Sequence, residues 1–103
     1  MNLKWTIVAE AQLENIYNFI KTRDEIAATR VYNDILDEAS VLVHFPYMAP
    51  VEPVLSDFPE MYRSLAVKRN YKVTYHVEND EIIIVAVFDC RQRPGRLREK
   101  IRR

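Results

Sequence analysis

A chain of 103 residues with one glycine and one cysteine has room for a single domain with its own apolar core. One cysteine excludes an internal disulfide and a multi-cysteine zinc site, and one glycine excludes the glycine-rich loops that cradle phosphates or dinucleotides. The formal charge is zero, but residues 91–103 hold seven basic residues and one acidic, a net +6, while residues 1–90 hold a net −6. No secretory leader pattern opens the chain and no apolar run is long enough to span a bilayer. With a lone cysteine, these features predict a soluble cytoplasmic protein.

In chain order, Asn2 to Val8 alternates Leu3, Trp5 and Ile7 against Lys4 and Thr6. That pattern predicts a strand at or near a sheet edge, with Trp5 as a core anchor. From Ala9 to about Lys21 the period becomes helical, with Leu13, Ile16, Tyr17 and Ile20 on one face. Thr22-Arg23-Asp24 breaks the helix, and Asp24 is a suitable N-cap for the next one. Glu25 to about Val43 carries an apolar stripe of Ala28, Val31, Tyr32, Ile35, Ala39 and Leu42. Two amphipathic helices joined by so short a break should pack as an antiparallel hairpin. His44 is placed to close the second helix, where a cation suits the helix dipole. Phe45 to Pro59 holds four of the five prolines and reads as a long connecting loop.

Met61 to Pro94 predicts three consecutive strands. Tyr71, Val73, Tyr75 and Val77 alternate with Lys72, Thr74 and His76, the period-2 pattern of a half-buried strand. Asn79-Asp80 tolerates the positive φ of a two-residue hairpin turn. Residues 81–88 are apolar at nearly every position, as a central strand covered on both faces would be. That strand runs into Asp89-Cys90-Arg91-Gln92-Arg93, and residues 96–103 follow as a short helix. The basic tail suits an anionic partner, either nucleic acid or an acidic protein surface, or else a solvated helix end. The fold class predicted is α+β: an N-terminal strand, an antiparallel helical hairpin on one face of a small mixed sheet, and three antiparallel strands. No HExxH pair, GxSxG elbow or calcium loop is present, so no metal or other cofactor is expected.

The order β–α–α–β–β–β resembles the RelE/ParE toxin superfamily of bacterial type II toxin–antitoxin modules. The residues that carry the likeness are Trp5, Phe45-Pro46, Arg63, the Tyr71–Val77 strand, the apolar strand 82–88 and Arg91-Gln92-Arg93-Pro94. It covers nearly the whole chain and rests on order and spacing rather than on one strict motif. The resemblance implies a growth-inhibiting toxin, bound in a hetero-oligomer by a cognate antitoxin and serving plasmid stabilisation. RelE-like members are ribosome-dependent mRNA endonucleases, and ParE-like members poison DNA gyrase. The basic residue after the middle-strand tyrosine corresponds to Lys72, and the arginine after the last strand to Arg91. Where RelE-like members place a C-terminal tyrosine this chain has Leu97, and no aromatic residue or histidine follows Phe88.

Attack of a 2′-hydroxyl on RNA needs a base, an acid for the leaving oxygen and cations for the phosphorane. Lys72, Arg91 and Arg93 are the candidate cations, expected on one sheet face, and His76 is the candidate base on the face of Lys72. The plainer readings are a solvent-facing His76 and salt bridges from Arg91 and Arg93 to Asp89 or helix acids. Cys90 lacks a histidine partner and is not expected to be a nucleophile. The missing C-terminal acid/base favours the ParE-like reading. A RelE-like ribonuclease is the alternative, and a degenerate toxin kept for antitoxin binding is the third.

Overall fold

The computed structural model describes residues 1–91 together with Arg98 and Ile101. The elements are β1 (Asn2–Trp5), α1 (Ile7–Lys21), α2 (Glu25–Val41), a 3-10 turn (Pro53–Leu55), β2 (Arg63–Val67), β3 (Tyr71–Glu78) and β4 (Glu81–Asp89). The strands form one sheet in the order β1-β4-β3-β2. β1 runs parallel to β4, and the other pairs are antiparallel. The predicted α+β architecture, with a helical hairpin and a central apolar strand, is the one observed.

Element ends are set by capping chemistry, which moves two predicted boundaries. Thr6 donates its backbone N–H to the Ile84 carbonyl at 3.0 Å, and its hydroxyl accepts the Ala9 N–H at 3.1 Å. It is both the last ladder residue and the helix N-cap, so Ile7 and Val8 belong to α1 rather than to the first strand. Asp24 caps α2 by accepting the Ala27 N–H at 3.1 Å. α2 ends at Val41 rather than Val43, with Leu42 as its C-cap. His44 therefore lies in the following turn, its N–H on the Val41 carbonyl at 3.1 Å. Asn79 and Asp80 have φ of 51° and 62°, as a two-residue hairpin turn between twisted strands demands.

The helices cover one face of the sheet. Leu13, Ile35, Ala39 and Leu42 meet Leu65, Val67, Val73, Tyr75, Ile82, Ile84 and Val87 there. A bulge at Thr74/Tyr75 inserts Val85 as an extra residue in β4, pairing Thr74 with Ala86 and Tyr75 with Ile84. Ala86 and Phe88 are thereby turned to the second face, where they pack with Leu55, Tyr62, Phe58, Val85 and Ile101. The predicted helix over 96–103 lies outside the described residues except at Arg98 and Ile101, both helical. The outer edge of β2 is covered by the preceding segment. Val51 bridges to Arg63, Glu52 donates its N–H to Tyr62 at 2.9 Å, and Ser64 donates to the Pro50 carbonyl at 3.1 Å.

Candidate functional site

Lys72 lies on the second face, and its ammonium meets the Glu52 carboxylate at 2.8 Å. Glu52 sits between Val51 and Pro53 and caps the 3-10 turn by accepting the Val54 N–H at 3.1 Å. Its side chain is 1% exposed. Burial works to raise the Glu52 pKa, but hydrogen bonds from Lys72, Ser64 and the Val54 N–H, with the charge of Lys72, outweigh it and hold the carboxyl below its ordinary range. Ser64 and Thr74 share a hydroxyl hydrogen bond of 2.9 Å on the same face. Nothing in the local pattern pointed to Glu52. Its only signal is an acidic residue in an otherwise apolar, proline-rich stretch.

His76 shares this face with Lys72, as alternation predicts, but it does not face solvent. Its side chain is 11% exposed, with Nδ1 3.8 Å from the Glu78 carboxylate. Its ring stands edge-on to Tyr62 with centroids 5.4 Å apart. Four residues of strand separate it from Lys72, about 13 Å at roughly 3.3 Å per residue.

Arg91 goes to the other face. The register pairs Lys72 with Phe88 and Tyr71 with Asp89. Phe88 shares the face of Lys72, while Asp89 and Arg91 share that of Tyr71. The Arg91 guanidinium forks onto Asp89 with contacts of 2.9 and 2.8 Å. It lies 5.9 Å from the Tyr71 ring centroid and 3.4 Å from the Tyr71 hydroxyl. The hydrogen bonds from Arg91 hold the Asp89 carboxyl below its ordinary range against its partial burial. Asp89 in turn pushes the Arg91 pKa further up, so this cation never deprotonates. Around the pair, Gln12, Asn15, Ile16 and Phe19 of α1 complete a cavity of about 240 Å³. The expectation that Lys72 and Arg91 share a face is thus corrected, because their faces depend on a cross-strand register that no local pattern encodes. Arg93 lies outside the described residues. Burial raises the Cys90 thiol pKa, which keeps it protonated near neutral pH. Among the described residues no group of three His, Cys, Asp or Glu could hold a metal ion.

A sequence profile of the ParE toxin of type II toxin–antitoxin system, parDE, matches residues 3–94. The chain belongs to the ParE toxin family. No curated protein sequence matches it. Among solved structures, a chain of the chromosomal ParDE TA system from P. aeruginosa superposes with a TM-score of 0.73 at 26% identity, over 86% of this chain and 95% of that one. The ParE-like fold and the assignment to a type II toxin stand on these likenesses. Within this ParE-like fold, the described candidate residues divide between a half-buried Lys72 paired to the buried Glu52, with His76, on one face and an exposed Arg91 forked onto Asp89 on the other. No helix among the described residues is long and apolar enough to cross a membrane.

Proposed function

We propose that this ParE-family toxin acts in the cytoplasm by binding and poisoning DNA gyrase, and that a cognate antitoxin neutralises it. The observation that carries the reading is the separation of the candidate catalytic groups. Lys72 is neutralised by Glu52, His76 is buried against Tyr62, and Arg91 stands on the opposite face. RNA cleavage needs base, acid and cations converged on one phosphate within hydrogen-bond reach, and the described residues offer no such convergence. Binding needs only a displayed surface, and the exposed Arg91–Asp89 ion pair beside the α1 cavity supplies a polar one. Arg91 is accordingly the residue assigned to target contact, with Arg93 beside it in sequence, while Lys72 and His76 support the fold.

The test sets purified protein against gyrase in a supercoiling assay that also scores trapped DNA breaks, beside a ribosome-programmed mRNA integrity assay. Gyrase-dependent breaks with intact mRNA are expected. Cleaved mRNA with unaffected gyrase would reverse the reading in favour of the RelE-like ribonuclease.

A further inference from the structure

The segment after α2 displays apolar side chains on a fixed backbone. Phe45, Tyr47 and Met48 are 62%, 60% and 50% exposed, three large apolar groups within four residues. The Phe45 N–H donates to the Val41 carbonyl and the Met48 N–H to the Phe45 carbonyl, each at 3.2 Å. The Pro46 carbonyl accepts the Tyr75 hydroxyl at 2.8 Å, and the Ala49 carbonyl accepts the Arg63 guanidinium at 2.8 Å. Pro46 and Pro50 add fixed φ angles. A backbone held this way presents its side chains already ordered, which removes much of the entropic cost of binding.

The composition and charge of the patch define what it can receive. Tyr, Phe, Met and Arg are all enriched at interface centres. The Arg63 guanidinium lies 5.3 Å from the Tyr47 ring centroid. Among the described residues no carboxylate forms an ion pair with it. An unneutralised cation against the ring of an exposed aromatic calls for a partner that brings an apolar anchor and a carboxylate together.

We propose that Phe45, Tyr47, Met48 and Arg63 form a docking surface for the antitoxin, which lays on it a segment carrying an apolar anchor and a carboxylate that meets Arg63. The proposal rests on the toxin–antitoxin reading and on Arg91 as the target contact, but not on gyrase as the target. Position selects the antitoxin over the target. Arg63 pairs opposite Tyr75, whereas Arg91 stands against Tyr71, about 13 Å away along β3 at roughly 3.3 Å per residue. The patch is therefore a second surface, separate from the one assigned to target contact.

The experiment titrates the purified cognate antitoxin against three forms of the toxin by calorimetry at low and high salt. The forms are wild type, the triple variant Phe45→Ser/Tyr47→Ser/Met48→Ser, and Arg63→Gln, which keeps a donor for the Ala49 carbonyl. Growth arrest without antitoxin is scored in parallel. The triple variant should weaken antitoxin binding by about 100-fold and Arg63→Gln by about tenfold with a flatter salt dependence, while growth arrest persists. Antitoxin affinity within about threefold of wild type in both variants, against the tenfold that about 1.4 kcal/mol brings, would overturn the proposal. So would lost growth arrest in a folded triple variant with affinity retained, since the patch would then contact the target. If the triple variant fails to fold, the single Tyr47→Ser variant decides by the same affinity criterion. A wild-type protein that leaves gyrase untouched would defeat the target reading alone.

Discussion

At the residue scale, charge pairing decides which cations are available. Lys72 neutralises a carboxylate that is almost wholly buried, and removing it strands that charge. Lys72→Ala should lower stability by about 1–3 kcal/mol, read from urea midpoints at neutral pH. The Glu52 and Asp89 carboxyls are both held below their ordinary range. Their stabilisation is therefore fully present above about pH 4, the unfolded carboxyl value, and is lost as pH falls through their lower folded values. In Lys72→Ala the Glu52 pKa rises, so acid destabilisation should begin at higher pH than in wild type. Arg91 is paired as well, to Asp89, but it is exposed and its partner is not wholly buried, so the pair is open to a binding partner. Arg91→Ala should abolish growth arrest while changing stability by only about 0.5 kcal/mol, as checked by circular dichroism and plating. A folded Arg91→Ala that still arrests growth would remove Arg91 from the target surface. His76→Ala, by contrast, opens a space beside Tyr62, so toxicity in that variant has meaning only alongside a measured stability.

At the element scale, a helix completes the sheet. β1 stops after the Trp5–Ile84 pair, which leaves the rest of β4 without a strand on that side. There the side-chain amide oxygen Oε1 of Gln12 in α1 accepts the Val87 N–H at 2.8 Å. A buried strand N–H without a partner is costly, so Gln12 positions α1 as well as satisfying β4. Gln12→Leu should cost about 1–3 kcal/mol and speed hydrogen exchange at the Val87 amide, whereas Gln12→Glu should retain protection. Unchanged exchange in Gln12→Leu would mean that water replaces the amide at no cost. The segment between α2 and β2 acts as an element in the same sense. It covers the β2 edge, supplies Glu52 to Lys72, and holds Phe45, Tyr47 and Met48 outward.

At the scale of the whole molecule, the sheet is covered on two sides by unequal layers. The helical hairpin forms the thick one. The second is thin: Leu55, Phe58 and Tyr62 from the connecting segment, with Ile101 from the C-terminal region. Arg98 secures that region by donating to the Val54 carbonyl at 3.0 Å and to Asp57 at 2.6 and 3.2 Å. Its guanidinium lies over the Phe58 ring at 4.9 Å. Ile101→Ser should lower stability by about 1–2 kcal/mol, given its partial burial. It should also raise fluorescence of a dye that reports exposed apolar surface, with helical circular dichroism unchanged. No rise in dye binding would show that the second layer closes without Ile101.

The sequence by itself determined the elements and their class. Helical period over Leu13–Ile20 and Ala28–Leu42, alternation over Tyr71–Val77, the Asp24 cap and the Asn79-Asp80 turn are all consequences of interactions a few residues long. The apolar run after Glu81 even announced its central place, because only a strand covered on both faces can be apolar throughout. Order and spacing then sufficed for the resemblance to the toxin superfamily. Tertiary structure alone decided which side chains meet. The Thr6 cap won Ile7 and Val8 for the helix although Ile7 continued the alternation of Leu3 and Trp5. The Val85 bulge and the Lys72–Phe88 register sent Arg91 and Lys72 to opposite faces. Glu52 reached Lys72 across 20 residues, and Gln12 reached Val87 across 75. Such partners are fixed by packing over long chain separations, where a one-residue change of register reverses every side chain, and local periodicity holds no record of them.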